Sequence, residues 1–177
     1  MKRILMILVA DTDPDHRGDT ASQQFARFAA PYYLFCDAGL DLVLATREGG
    51  SPWTKPDGAV QHADSELMRR FKADRETREA LSDTLRFDQI ETSDFAGAFC
   101  VGAPERLWRH PDNNSPASII ASFLTSGKPV AIIPGMLDLA PFGADSGLLI
   151  VGGSLEAPGL AARALLTIVQ KPSLAVI

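Results

Sequence analysis

The sequence is poor in the residues that announce most chemistries. It has two cysteines, Cys36 and Cys100, with no CxxC pair and no histidine cluster beside them. That argues against a disulfide scaffold or a zinc site. Its three histidines, His16, His62 and His110, lie far apart and nothing spaces them as metal ligands. Basic runs are missing and the net charge is −5, so the electrostatic footprint of a nucleic-acid binder is absent. The apolar runs are far too short to cross a bilayer. The first ten residues imitate a signal peptide, with Lys2 and Arg3 ahead of an apolar stretch. Asp11, Asp13 and Asp15 follow at once, and there is no small-residue cleavage site. We read the stretch as a buried first strand, and the expected location as cytoplasmic.

What is present fits one domain over residues 1–177, with 46% apolar and 22% charged residues. No repeat, low-complexity stretch or linker interrupts it. Ile4 to Ala10 predicts a central strand. The polar loop Asp11 to Thr20 follows, and then a helix over about 21–38. Phe25, Phe28, Tyr32 and Phe35 form its buried stripe. Pro31 lies inside, predicting a kink or a fresh start, and Gly39 ends the helix. Leu40 to Ala45 reads as the second strand. Residues 47–58 hold three glycines and two prolines and read as a loop. Residues 63–85 suit one or two peripheral helices. Asp94 to Val101 reads as the third strand, turning at Gly102-Ala-Pro104. A helix is expected over Pro116 to Thr125, stopped by Gly127. A short strand over Leu148 to Val151 and a last helix over Leu155 to Gln170 complete the chain. Strands that alternate with helices and look covered on both faces argue a mainly parallel sheet between helix layers.

The organising stretch is Lys128-Pro-Val-Ala-Ile-Ile-Pro-Gly-Met-Leu-Asp-Leu-Ala140. Val130 to Ile133 is apolar throughout, as a doubly covered strand requires. Pro134 cannot donate to a ladder and stops it. In three-layer α/β proteins such a corner often displays a nucleophile. Here it carries Pro134 and Gly135, which have no reactive side chain.

Several stretches together resemble the DJ-1/PfpI superfamily. They are Ala30-Pro-Tyr-Tyr-Leu-Phe-Cys-Asp-Ala-Gly39, Leu42 to Gly50, Asp74 to Leu81, Asp94 to Trp108, Ser126 to Ala131 and Gly147 to Pro158. The resemblance implies a flavodoxin-like three-layer α/β sandwich, usually a homodimer, in a family of proteases, glyoxalase III-type enzymes, deglycase-like proteins and chaperones. Active members place a cysteine at the elbow, often followed by histidine, and a glutamate on the first long helix. This chain departs at each position. Pro134 and Gly135 stand for cysteine and histidine, Arg27 for the glutamate, and Ala103 for the second glycine of a Gly-Gly turn. The resemblance therefore implies the fold without the cysteine chemistry and without a cofactor.

Arg27, Gly102, Ala103, Pro134 and Gly135 form the candidate ligand site. A helix opening near Gly135 favours anions, and an arginine opposite adds a bidentate donor, which points to a small anionic metabolite. The plainer reading pairs Arg27 with Asp138 or leaves it in solvent. Cys100, helped by His110 or Glu105, is the candidate for a displaced nucleophile; against it, a cysteine inside Ala98-Phe-Cys-Val101 is a small buried hydrophobe. Cys36 reads as packing or a dimer contact. Asp11-Thr-Asp13 is similar to the haloacid dehalogenase motif. With Asp15 and Asp19 it could hold a hard cation, but it lacks the calcium-loop pattern, so it reads as a solvated polar turn and no metal site is expected. Trp53 and Trp108 read as pocket wall or core, and Gly152-Gly153 as a plain turn.

Overall fold

The computed structural model describes residues 2–9, 21–52, 66–102, 115–133, 147–154 and 156–171. Six strands lie in one sheet: β1 (Arg3–Leu8), β2 (Asp41–Thr46), β3 (Leu85–Arg86), β4 (Gly97–Val101), β5 (Val130–Ile133) and β6 (Leu149–Val151). Their order is β3-β2-β1-β4-β5-β6, and every neighbouring pair is parallel. The helices are α1 (Ala21–Asp37), α2 (Glu66–Ala73), α3 (Arg75–Ser82), α4 (Pro116–Thr125) and α5 (Ala157–Gln170).

The apolar runs are explained by two cores. Ile4, Met6 and Leu8 of β1 face one layer with Phe99, Val101, Ala131 and Ile133, under α1, α2, α3 and α5. Leu5 and Ile7 face the other with Ala98, Cys100, Val130 and Ile132, under α4. Successive strand residues point to opposite faces, so a strand covered twice must be apolar at every position. Phe28, Phe35, Phe99 and Phe123 are fully buried, each contributing about 1.5–3 kcal/mol by removal from water.

The elements expected within the described residues are present, with shifted bounds in places, while the helix expected near Gly135 lies outside them. The strand expected from Asp94 begins at Gly97, as β4. Residues Thr92–Asp94 form a 3-10 turn, and Lys128 Nζ donates to the carbonyls of Thr92 (2.7 Å) and Ser93 (3.1 Å). β3 was not anticipated from the sequence: it is two exposed residues long, too short to leave a pattern. Pro31 does not divide the first helix, because α1 runs through it as one element of 17 residues. α4 starts at Ser115, whose Oγ accepts from the Ser118 amide at 3.2 Å, with Pro116 in the first turn. It ends at Gly127, with φ 70°. There Gly127 N donates to Leu124 O (2.9 Å) and Lys128 N to Phe123 O (2.9 Å), the paired closure that a left-handed residue permits. α1 closes on Gly39 in the same way, through Gly39 N to Cys36 O and Leu40 N to Phe35 O.

A polar joint holds α2 and α3 to α1. Arg70 donates two hydrogen bonds to Asp37 (2.9 and 2.6 Å), and its guanidinium lies 4.0 Å from the Tyr33 ring centre. Asp74 caps α3: its Oδ1 accepts from the Thr77 amide at 3.0 Å, and its Oδ2 accepts from the Thr77 hydroxyl. That hydroxyl lies 3.3 Å from Tyr32 OH. The Thr77 hydroxyl, then its amide, hold the Asp74 carboxyl below the usual range. A lowered folded value means stability that is complete above the unfolded carboxylate value, near pH 4, and is lost as pH falls through the folded one. Asp74→Ala is expected to cost about 1 kcal/mol near neutral pH. Asp74→Asn should flatten the acid limb of the stability–pH curve, measured by urea unfolding across the acid range. An unchanged acid limb would remove Asp74 from it.

Candidate functional site

In an open α/β sheet the ligand crevice lies outside the carboxyl ends of the strands, where the strand order reverses. Here β1 is followed in sequence by β2 on one side, and β4 returns on its other side. The reversal therefore falls between β1 and β4. Helices that join parallel strands must run back along the sheet, so α1 and α4 begin at this edge; α5 follows β6 and ends at the opposite edge, where Lys2 Nζ donates to Val169 O, so it begins here too. Their N-terminal amides and positive dipole ends collect there.

The described floor of the crevice is backbone. Val9 N donates to Val101 O at 2.8 Å, and Gly102 N donates to Ile133 O at 3.0 Å. These bonds join the ends of β1, β4 and β5. Gly102 has φ 126°, and a Cβ placed on it would lie 2.6 Å from both the Cβ and the carbonyl oxygen of Val9. Val9 escaped the sequence reading, because an ordinary valine at a strand end carries no signal of a backbone pressed against it. Ser115 also escaped it, although serine before proline ahead of an apolar run is a helix-start signal.

Gly102 sits at the end of β4, bonded to Ile133, the residue before Pro134. Arg27 lies in the second turn of α1, part-buried and engaged in an interaction within the molecule. Ala103, Glu105, His110, Pro134 and Gly135 lie outside the described residues, as do Asp11, Asp13, Asp15, Asp19, Trp53, Trp108, His16 and His62. Cys100 is fully buried in the layer under α4, flanked by Ile7 and Ile132. Burial pushes its thiol up to about 12. A thiolate is the reactive form, so this position opposes nucleophilic use. α1 packs on the other face of the sheet, so the fold does not bring Cys100 and Arg27 together. Cys36 is half-buried against the first core, and burial raises its thiol as well. Among the described residues no three His, Cys, Asp or Glu side chains gather where a metal could sit, and no helix is long and apolar enough to cross a membrane.

The strand order, the two helix layers and the crevice at the reversal define a flavodoxin-like three-layer α/β fold. Solved structures of the DJ-1/ThiJ/PfpI group share it. The Rapid Encystment Protein 24 kDa (REP24) of Francisella tularensis superposes with a TM-score of 0.65 at 14% identity, over 97% of this chain and 100% of that one. Glyoxalase III of Candida albicans gives 0.62 at 12% identity, over 94% and 96%. A ThiJ/PfpI domain protein of Brachyspira murdochii gives 0.59 at 13%, over 97% and 98%. No family model and no curated protein matches the chain. At these identities the likeness is one of fold.

Proposed function

We propose that this chain is a DJ-1/PfpI-like protein without the elbow thiol, a cytoplasmic homodimer of single-domain protomers that binds or senses a small anionic metabolite. The observation that carries the reading is the state of the sulfur. Cys100, the thiol nearest the strand ends, is sealed in apolar packing with its pKa driven up, while the corner itself reads Pro134-Gly135 in the sequence. A guest can then be held without being attacked. Arg27 and the helix N-termini at the edge supply positive potential for a carboxylate or phosphate. Ala103 and the Pro134-Gly135 backbone would complete the wall beside Gly102.

Arg27→Ala should weaken binding of inorganic phosphate or succinate about tenfold, read as a smaller thermal shift. An unchanged shift would remove Arg27 from the site. A second reading is favoured by the fold shared with glyoxalase III: a lyase of that type, or a protease- or amidase-like hydrolase, using Cys100 with Glu105 or His110. Turnover in a panel of aldehydes and amides separates the two. The binding protein gives none before or after thiol alkylation. Turnover lost with Cys100→Ser would establish the enzyme.

A further inference from the structure

We propose that Pro31 is a positioning residue for the crevice, acting through Arg27; the inference rests on the anion-binding reading above. In an α-helix the amide of one residue closes on the carbonyl four residues earlier. The carbonyl that the amide of residue 31 would close on is that of Arg27. Proline has no amide to give, and its ring crowds that same carbonyl. α1 nevertheless continues through Pro31 as a single helix, with Pro31 buried. So the altered rung of α1 sits on the residue proposed to meet the ligand.

Both halves of α1 meet α2, the first through Phe25 and the second through Asp37, and Phe28 meets Tyr32 across Pro31 at 5.1 Å between ring centres; the half beyond Pro31 has further ties. Beyond Pro31, Tyr32 meets Thr77 at 3.3 Å, Phe35 meets Phe99 edge-on at 5.8 Å between ring centres, and Asp37 is clamped by Arg70. Before it, Phe25 meets Phe71 of α2 at 4.8 Å, and Phe28 is fully buried. The second half is fixed to the sheet and the polar joint. The first half reaches the carboxyl edge. The missing rung falls between them, where it sets the angle at which the opening turns, Arg27 included, approach the strand ends. Proline is the least favourable residue for a helix interior; here that cost falls four residues after the side chain proposed to meet the ligand.

The test uses the full-length protein with inorganic phosphate as probe. Pro31→Ala should melt higher than wild type, gain slow hydrogen exchange at the residue 31 amide, and bind phosphate roughly fivefold more weakly. In the double variant with Arg27→Ala, Pro31→Ala should add nothing to the loss already caused by Arg27→Ala. Phosphate affinity unchanged in Pro31→Ala, with Arg27→Ala still losing it, overturns the Pro31 inference alone. A further loss in the double variant does the same, because it marks a general structural effect. Affinity unchanged in Arg27→Ala overturns the anion reading and this inference with it. Pro31→Gly restores the amide too, and is read the same way should the alanine variant fold poorly.

Discussion

Gly102→Ala is expected to lower the melting temperature by about 10 °C, from a loss of about 3 kcal/mol. Two costs add. At φ 126° an L-residue is strained whatever space surrounds it. The space is also missing: the new methyl would meet Val9 Cβ and O at 2.6 Å and Val9 Cα at 3.2 Å. Neither neighbour can yield cheaply. Val9 is tied to Val101 by a 2.8 Å hydrogen bond, and Gly102 to Ile133 by one of 3.0 Å. Leu8, Val101 and Ile133 just inside these bonds are buried. Relief therefore requires parting β1 from β4 at the crevice, so phosphate binding should fall along with stability. Gly153→Ala is the control, because a Cβ there meets nothing within 4 Å; its expected change is within about 0.5 kcal/mol. Thermal unfolding of both variants decides it. A Gly102→Ala protein that melts beside the Gly153→Ala protein would mean the strand ends are not locked.

The frame of this protein is legible in one dimension because burial on both sides leaves no choice of residue. Val130 to Ile133 and Pro116 to Thr125 fall within the bounds read from the sequence, since an apolar run, a first-turn proline and a stopping glycine each act locally. β3 was not legible: its two residues are exposed and held by pairing with Ala45 and Thr46, not by their own character. Asp94 was misassigned for a related reason. Its neighbours Thr92 and Ser93 are held by the distant Lys128. At the crevice, Gly102 could be marked as a turn, but its contact with Val9 arises only when β1 and β4 lie side by side. Cys100 shows the reverse case. Its apolar neighbours alone favour a buried thiol, and burial is what the fold gives it. Arg27 could be placed by counting back from Pro31, but a position along a helix does not say what its side chain meets.

Phe35→Ala is expected to cost about 3–5 kcal/mol and to lower the melting temperature by about 10 °C or more. Phe35 is fully buried and touches Phe99 of β4 edge-on, ring centres 5.8 Å apart and planes at 72°. Against a total stability of about 5–15 kcal/mol, that is a large share for one side chain. Phe99→Ala should cost a similar amount, for Phe99 is fully buried as well. The two losses should not add. The double variant should fall short of the sum by about 0.5–1.5 kcal/mol, the worth of the edge-to-face contact itself. The same pair joins α1 to the central strands beyond Pro31. Hydrogen exchange in Phe35→Ala should therefore quicken over residues 32–37 before it quickens over β4. Uniform quickening across both would mean that α1 and the sheet unfold as one unit, and that the rings contribute area without acting as a specific fastening.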